Sequence, residues 1–269
     1  MQPSTPQQQP WFALVTGAAS GIGRATALKF AAAGATGVAC LDVHVEGNAS
    51  TSGEVELAGA RALEVTLDLG DYDSIVAAYE TVHQEFGRLD AAAHVGGYSW
   101  RGDTLGVTPQ EWDRVVGVNL RGTFFCCQQA LAIMYPQGSG GIVNMSADAA
   151  FDPIHGYSVQ AAAKGGVVPL TKALAFEAAR RGVRVNAVSP GITRVKRSGF
   201  VPDRGAPVVV PGGLAADSSE GLEQHTGAGR WMETDEIASV IAFLAGPASS
   251  GVNGELVRIN GGPYPTLEF

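Results

Sequence analysis

Seven short apolar runs recur along this chain, separated mostly by longer segments of helical period, and that alternation restricts the fold more than any other feature. The runs are FALVT (12–16), GVACLD (37–42), ALEVTLD (62–68), LDAAAHV (89–95), GGIVNMS (140–146), VRVNAVSP (183–190) and GELVRING (254–261). Helical period marks 21–33, 72–86, 109–134 and 156–181, whereas a polar stretch follows the second run. Strands joined through helices imply right-handed crossovers and a parallel sheet covered on both faces. The expected fold is therefore α/β: a doubly wound, seven-stranded parallel sheet in a single domain.

Composition agrees with that size. A chain of 269 residues with 45% hydrophobic and 16% charged content can bury the core of one such domain. We expect residues 1–10 to be a disordered tail and 11–269 the domain. Prolines 202, 207 and 211 and many glycines mark about 194–229 as a mobile lid. A formal charge of −8 leaves no basic footprint for nucleic acid. Cys40, Cys126 and Cys127 form neither a disulfide framework nor a metal-ligand spacing, so no metal is expected and a reducing, cytoplasmic compartment is. MQPSTPQQQP lacks the basic and apolar regions of a secretory signal, and no apolar stretch is long enough to suggest a membrane span.

LVTGAASGIGRAT (14–26) places Gly17, Gly21 and Gly23, with Ser20 and Ile22 between them, in the turn from the first strand into a helix. Glycine is required where the backbone turns tightly and lets a pyrophosphate approach a helix N-terminus, whose free N–H groups and dipole favour negative charge. Asp42 ends the second strand about 20 residues further on. Its carboxylate can accept both ribose hydroxyls and repels a 2′-phosphate, which favours NAD over NADP.

Together TGAASGIG (16–23), LDL (67–69), VNLRG (118–122), GGIVNMS (140–146), the long stretch AAAKGG to SPGIT (161–193) and VRINGG (257–262) resemble the short-chain dehydrogenase/reductase family. The resemblance runs from Trp11 to about Tyr264. It implies that Asp68 and Leu69 sit beside the adenine and that Asn119 holds a helix kink and a water. It further implies that Lys164 binds the nicotinamide ribose and that Pro190, Gly191, Ile192 and Thr193 flank the carboxamide. It also implies a homo-oligomer, dimer or tetramer, formed through the helices at 109–134 and 156–181.

Two positions depart from that pattern. The family's catalytic tyrosine, four residues before the lysine, is Gln160 here, and its serine, thirteen residues earlier, is Ala147. The family's NNAG reads AHVG (93–96), with His94 in place of an amide. General acid–base catalysis is typically worth about 10²- to 10⁴-fold, so ordinary carbonyl reduction should suffer.

Three explanations stay open. The proton donor has moved, to Tyr157 one turn earlier or to Asp148, Asp152, His155 or His94 around the pocket. Alternatively it is unnecessary, because the acceptor is an iminium or otherwise activated, as in relatives that tailor natural products. Or the redox step is gone, leaving a cyclase, an isomerase or a silent NAD-binding protein on the same scaffold. Tyr98, Trp100 and Arg101, just after the fourth strand, suit a medium to large, flat small-molecule substrate. Arg194, Lys196, Arg197 and Arg204 make the lid locally basic, while Trp231 and Met232 should pack ahead of a helix beginning near Thr234 to Glu236.

Overall fold

In the computed structural model, which describes residues 10–152, 154–195 and 227–262, the seven apolar runs become seven parallel strands of one sheet. They are β1 (Phe12–Thr16), β2 (Gly37–Asp42), β3 (Arg61–Thr66), β4 (Ala91–His94), β5 (Gly140–Met145), β6 (Val183–Pro190) and, last in the chain, β9 (Leu256–Ile259). Their order is β3-β2-β1-β4-β5-β6-β9. The chain winds outward from β1 to β3, then returns to place β4 against the other side of β1. Such a reversal opens a crevice at the carboxyl ends of the strands.

Helices α1 (Gly21–Ala32), α2 (Val45–Leu57) and α7 (Thr234–Ala245) belong with one face of the sheet. There Phe30, Val55, Ile237, Ile241 and Leu244 pack against the apolar side chains of β1, β2 and β4. Helices α3 (Tyr72–Phe86), α5 (Gly122–Gln137) and α6 (Ser158–Ala178) cover the other face with Ile75, Tyr79, Met134 and Leu174. Each such side chain, fully buried, contributes roughly 1.5–3 kcal/mol relative to exposure. A short parallel pair, β7 (Thr193–Arg194) with β8 (Met232–Glu233), ties the end of the β6 connection to the start of α7.

Two departures from the sequence expectation are instructive. The polar stretch after β2 is helix α2, with Asn48 and Thr51 buried because their side chains bond backbone carbonyls: Asn48 Nδ2 to Cys40 O at 2.8 Å and Thr51 Oγ1 to Ala18 O at 2.8 Å. The helix expected across 109–134 is broken instead. Helix α4 (Pro109–Val116) passes through a π-turn at Gly117–Arg121 into α5, and Asn119 lies in that turn. Isolated π-turns inside helices recur at functional sites. Of the expected tail and lid, residues 1–9 and 196–226 lie outside the described residues. Among the described residues no helix is long and apolar enough to cross a membrane.

Candidate active site

A cleft of about 1120 Å³ opens at the crevice between β1 and β4. Its upper wall is the glycine turn: Gly17, Ser20, Gly21, Ile22 and Gly23 all line it. Gly17 has φ +71°, and a Cβ there would stand 2.6 Å from the Cα of Gly96. At Gly23 a Cβ would meet the carbonyl oxygen of Gly17 at 1.9 Å. No side chain fits at either position, so the turn and the start of α1 stay pressed together. Ser20, the N-cap of α1, makes no side-chain capping bond, and the first intrahelical bond runs from Arg24 N to Ser20 O. The N–H groups of Gly21, Ile22 and Gly23 therefore precede the helical ladder, an arrangement suited to an anion.

Asp42 lies in the same cleft, at the end of β2. Its Oδ2 accepts from Ala19 N at 3.0 Å and its Oδ1 from His44 N at 2.9 Å. These bonds aim the carboxylate beside the glycine turn and use one lone pair of each oxygen, leaving acceptor capacity for hydroxyls. Asp68 and Leu69 line the cleft further along, past β3. The cradle therefore fits a dinucleotide: a bare helix N-terminus for the diphosphate and a carboxylate for a ribose.

At the other end stand Asn119, Lys164 and Gln160, with Ala147, Pro190, Gly191 and Thr193 around them. Both ends of the Asn119 amide bond the backbone. Its Oδ1 accepts from Tyr98 N (3.2 Å), and its Nδ2 donates to Tyr98 O (2.6 Å) and Val115 O (3.0 Å). It thereby pins the loop after β4 to the π-turn. Gly97 completes this fit, since a Cβ there would lie 2.6 Å from Asn119 Oδ1. Lys164 is buried and donates from Nζ to Met145 O at 2.9 Å. Burial lowers its ammonium to about 8.

Ser146, which sequence reasoning passed over, does not restore a hydroxyl for Ala147: its Oγ donates to the carbonyl of Lys164 at 2.9 Å and so fixes α6 to β5. Arg114 was also missed. Its guanidinium lies 4.2 Å from the centre of the Tyr98 ring, and both residues line the cleft. No sequence signal pointed to either pairing, because both depend on the third dimension.

Several expected site residues stand elsewhere. His94 does not face the cleft. Strand alternation turns it toward α3 and α5, where it is 2% exposed, with Tyr79 Oη 2.8 Å from Nε2 and Asn144 Oδ1 2.9 Å from Nδ1. Burial holds its imidazole down at about 4. Asp148 is not a poised acid either. Its Oδ1 accepts from Ser189 Oγ (2.8 Å) and Arg258 Nε (3.2 Å), and its Oδ2 from Asn260 Nδ2 (2.7 Å), so it joins the ends of β5, β6 and β9. Asp152 pairs with the same Arg258.

Tyr157 is the N-cap of α6, and it does not line the cleft that Gln160 lines. With His155 it lines a separate recess of about 350 Å³ beside Asp103 and Thr104. Arg101 donates to His155 O at 3.2 Å and its guanidinium covers the Tyr157 ring. Trp100 packs with Val115, Val159 and Ala163 instead of lining the cleft. Of the three residues expected after β4, only Tyr98 reaches it.

Ile192 does not line the cleft; its carbonyl accepts from Met232 N at 2.9 Å. Arg194 faces Glu233 at 3.6 Å, and Met232 is buried as expected, while Lys196, Arg197 and Arg204 lie outside the described residues. Among the described residues no cluster of His, Cys, Asp and Glu could hold a metal ion.

The family model described as Enoyl-(Acyl carrier protein) reductase matches residues 17–263. A 3-oxoacyl-(acyl-carrier-protein) reductase, FabG, of Thermotoga maritima is 35% identical over 249 residues, covering 93% of this chain and 96% of the relative. Levodione reductase of Leifsonia aquatica is 37% identical over 255 residues, covering 93% and 92%. The crystal structure of levodione reductase superimposes with a TM-score of 0.82 at 34% identity, covering 94% of this chain and 96% of that one.

Proposed function

The chain belongs to the short-chain dehydrogenase/reductase family of oxidoreductases, and we propose that it is an NAD(H)-dependent member with a non-standard active site, acting by hydride transfer on a medium to large organic substrate. The family uses nicotinamide cofactors, whose ring supplies or accepts the hydride when bound. What this chain adds is how its own residues hold and polarise the reactants.

The observation that carries NAD rather than NADP is the Asp42 carboxylate, aimed beside the glycine turn by the N–H groups of Ala19 and His44. A 2′-phosphate placed there would meet a like charge. Gly21, Ile22 and Gly23 would take the diphosphate, Asp68 and Leu69 the adenine side, and Lys164 the nicotinamide ribose. The carboxamide would lie against Pro190, Gly191 and Thr193. Asn119 contributes by holding the Tyr98 loop in place.

Gln160 and Ala147 at the usual tyrosine and serine positions make the site non-standard. Neither an amide nor a methyl group donates a proton near neutral pH, which favours substrates whose acceptor carbon is already activated, such as those met in natural-product tailoring. Tyr98 and Arg114 give the cleft an aromatic face backed by a cation, suited to a flat substrate. Helices α5 and α6 leave Phe124 and Phe176 exposed, which supports assembly of copies of this chain into a homo-oligomer.

The test is a substrate screen following NADH absorbance alongside product analysis. Stoichiometric loss of NADH with product supports hydride transfer; product without net change in NADH would sink it and favour a cyclase or isomerase. The double variant Gln160→Tyr with Ala147→Ser should raise reduction of simple ketones at least tenfold.

A further inference from the structure

Three donors meet on one buried carboxylate beside the cleft. Asp148 has a side chain 3% exposed, and it follows directly on Ala147, which lines the cleft. Its Oδ1 accepts from Ser189 Oγ at 2.8 Å and Arg258 Nε at 3.2 Å, and its Oδ2 accepts from Asn260 Nδ2 at 2.7 Å. A buried charge bonded at both oxygens makes a stiff joint, because loosening it leaves the charge desolvated and without donors. Arg258, 35% exposed, balances that charge and also pairs with Asp152.

This joint holds the loop that leaves β6. Ser189 directly precedes Pro190, and Pro190, Gly191 and Thr193 line the cleft. Gly191 lies against the joint itself: a Cβ there would stand 2.6 Å from the Cβ of Asn260 and 3.4 Å from Asp148 Oδ2. Its N–H donates to Ile259 O at 3.0 Å, and its carbonyl accepts from Thr193 Oγ1 at 2.9 Å. The loop is therefore fixed at the residue before it, within itself, and against the neighbouring strand. We propose that Asp148, Ser189 and Asn260 are positioning residues for the nicotinamide half of the cofactor, because they fix the Pro190–Thr193 loop against which the carboxamide lies. The assignment rests on reading the cleft as a site for a nicotinamide dinucleotide.

The effect is confined to one half of the dinucleotide. The diphosphate and adenosine half falls to the glycine turn after β1 and to Asp42 at the end of β2, whose carboxylate is aimed by Ala19 N and His44 N. Asp148, Ser189 and Asn260 stand instead at the ends of β5, β6 and β9, beyond β4 in the sheet. Loosening the joint therefore misplaces the partners of the carboxamide and leaves those of the adenosine where they are. Hydrogen bonds weaken steeply with misalignment, so a small shift of the loop suffices.

The test compares NADH with ADP-ribose, which lacks only the nicotinamide. Both are titrated by calorimetry into the parent, into Ser189→Ala and into Asn260→Ala, where alanine keeps the Cβ that faces Gly191 and removes the amide. NADH affinity should fall about fivefold or more in each variant, the equivalent of one lost hydrogen bond, while ADP-ribose affinity stays within about twofold of the parent. A general loss of structure would weaken both ligands alike. Equal losses for the two, or no loss for NADH in a folded variant, overturn the proposal. If neither variant folds, hydrogen exchange at the Gly191 amide of the cofactor-free parent decides the matter. Exchange within about tenfold of that at Ala187, inside β6, supports a loop fixed in advance, and exchange at the rate of an open loop overturns it. A parent that binds neither ligand defeats the dinucleotide reading and the proposal with it. A parent that binds both, with variants that treat them alike, loses only the positioning role.

Discussion

Asp148 separates two accounts of this cleft, and its replacement by asparagine tells them apart. The carboxylate side chain is 3% exposed, and three donors converge on it: Ser189 Oγ and Arg258 Nε on Oδ1, and Asn260 Nδ2 on Oδ2. An asparagine amide in either orientation sets its NH₂ against at least one of those donors and removes the charge opposite Arg258. Breaking a buried pair by removing one partner typically costs about 3–5 kcal/mol. Arg258 is 35% exposed and can turn partly to water, which argues for the lower end, about 3 kcal/mol. For a chain of this size that is a fall in Tm of roughly 6–12 °C. Thermal unfolding by calorimetry, at one fixed protein concentration because oligomerisation shifts apparent stability, measures it. An Asp148→Asn protein that melts within about 2 °C of the parent while losing turnover would refute the structural role and restore Asp148 as an acid.

Other expectations follow from the same geometry. His94 is neutral in the fold at about 4, against an ordinary value near 6.5, so the unfolded chain binds the extra proton first. Its contribution is complete above about pH 6.5 and is lost as pH falls toward 4, up to roughly 3 kcal/mol; urea unfolding of the parent and of His94→Gln should diverge above this window and converge within it. Gly23→Ala forces a Cβ to within 1.9 Å of Gly17 O, so the glycine turn must open, and the variant should either fail to fold or lose at least tenfold in NADH affinity by fluorescence titration. Gly17→Ala, strained at φ +71° as well as crowded by Gly96, should behave alike.

The sheet was legible in the sequence because each strand is a local apolar run and each crossover a local period, and the glycine turn announced itself through spacing alone. Helix α2 was not, since its buried face carries Asn48 and Thr51, whose burial depends on carbonyls from other elements. The pocket residues failed for a related reason. Asp148 looked available until residues 41 and 112 positions away, Ser189 and Asn260, closed around it. His94 looked like a wall of the cleft because its position in the motif was read without the strand alternation that turns it into the core. Tyr157, at the N-cap of α6, lies beside Arg101 in a separate recess and not in the cleft lined by Gln160 and Lys164. Local pattern thus brought the glycine turn and Asp42 to one cleft, whereas the other end of that cleft depends on side-chain directions that only the packed chain defines.

The central claim is that Asp42 selects an unphosphorylated dinucleotide for a cleft built to transfer hydride. A like charge about 4 Å from the 2′-phosphate is worth roughly 4 kcal/mol at an effective dielectric of 20, and about half that in a partly exposed site. Titrating nicotinamide fluorescence with NADH and NADPH, in the parent and in Asp42→Ala, measures it directly. The parent should bind NADH at least 30-fold more tightly than NADPH, with most of that preference gone in Asp42→Ala. Equal affinities in the parent, or binding of neither dinucleotide, would contradict the account.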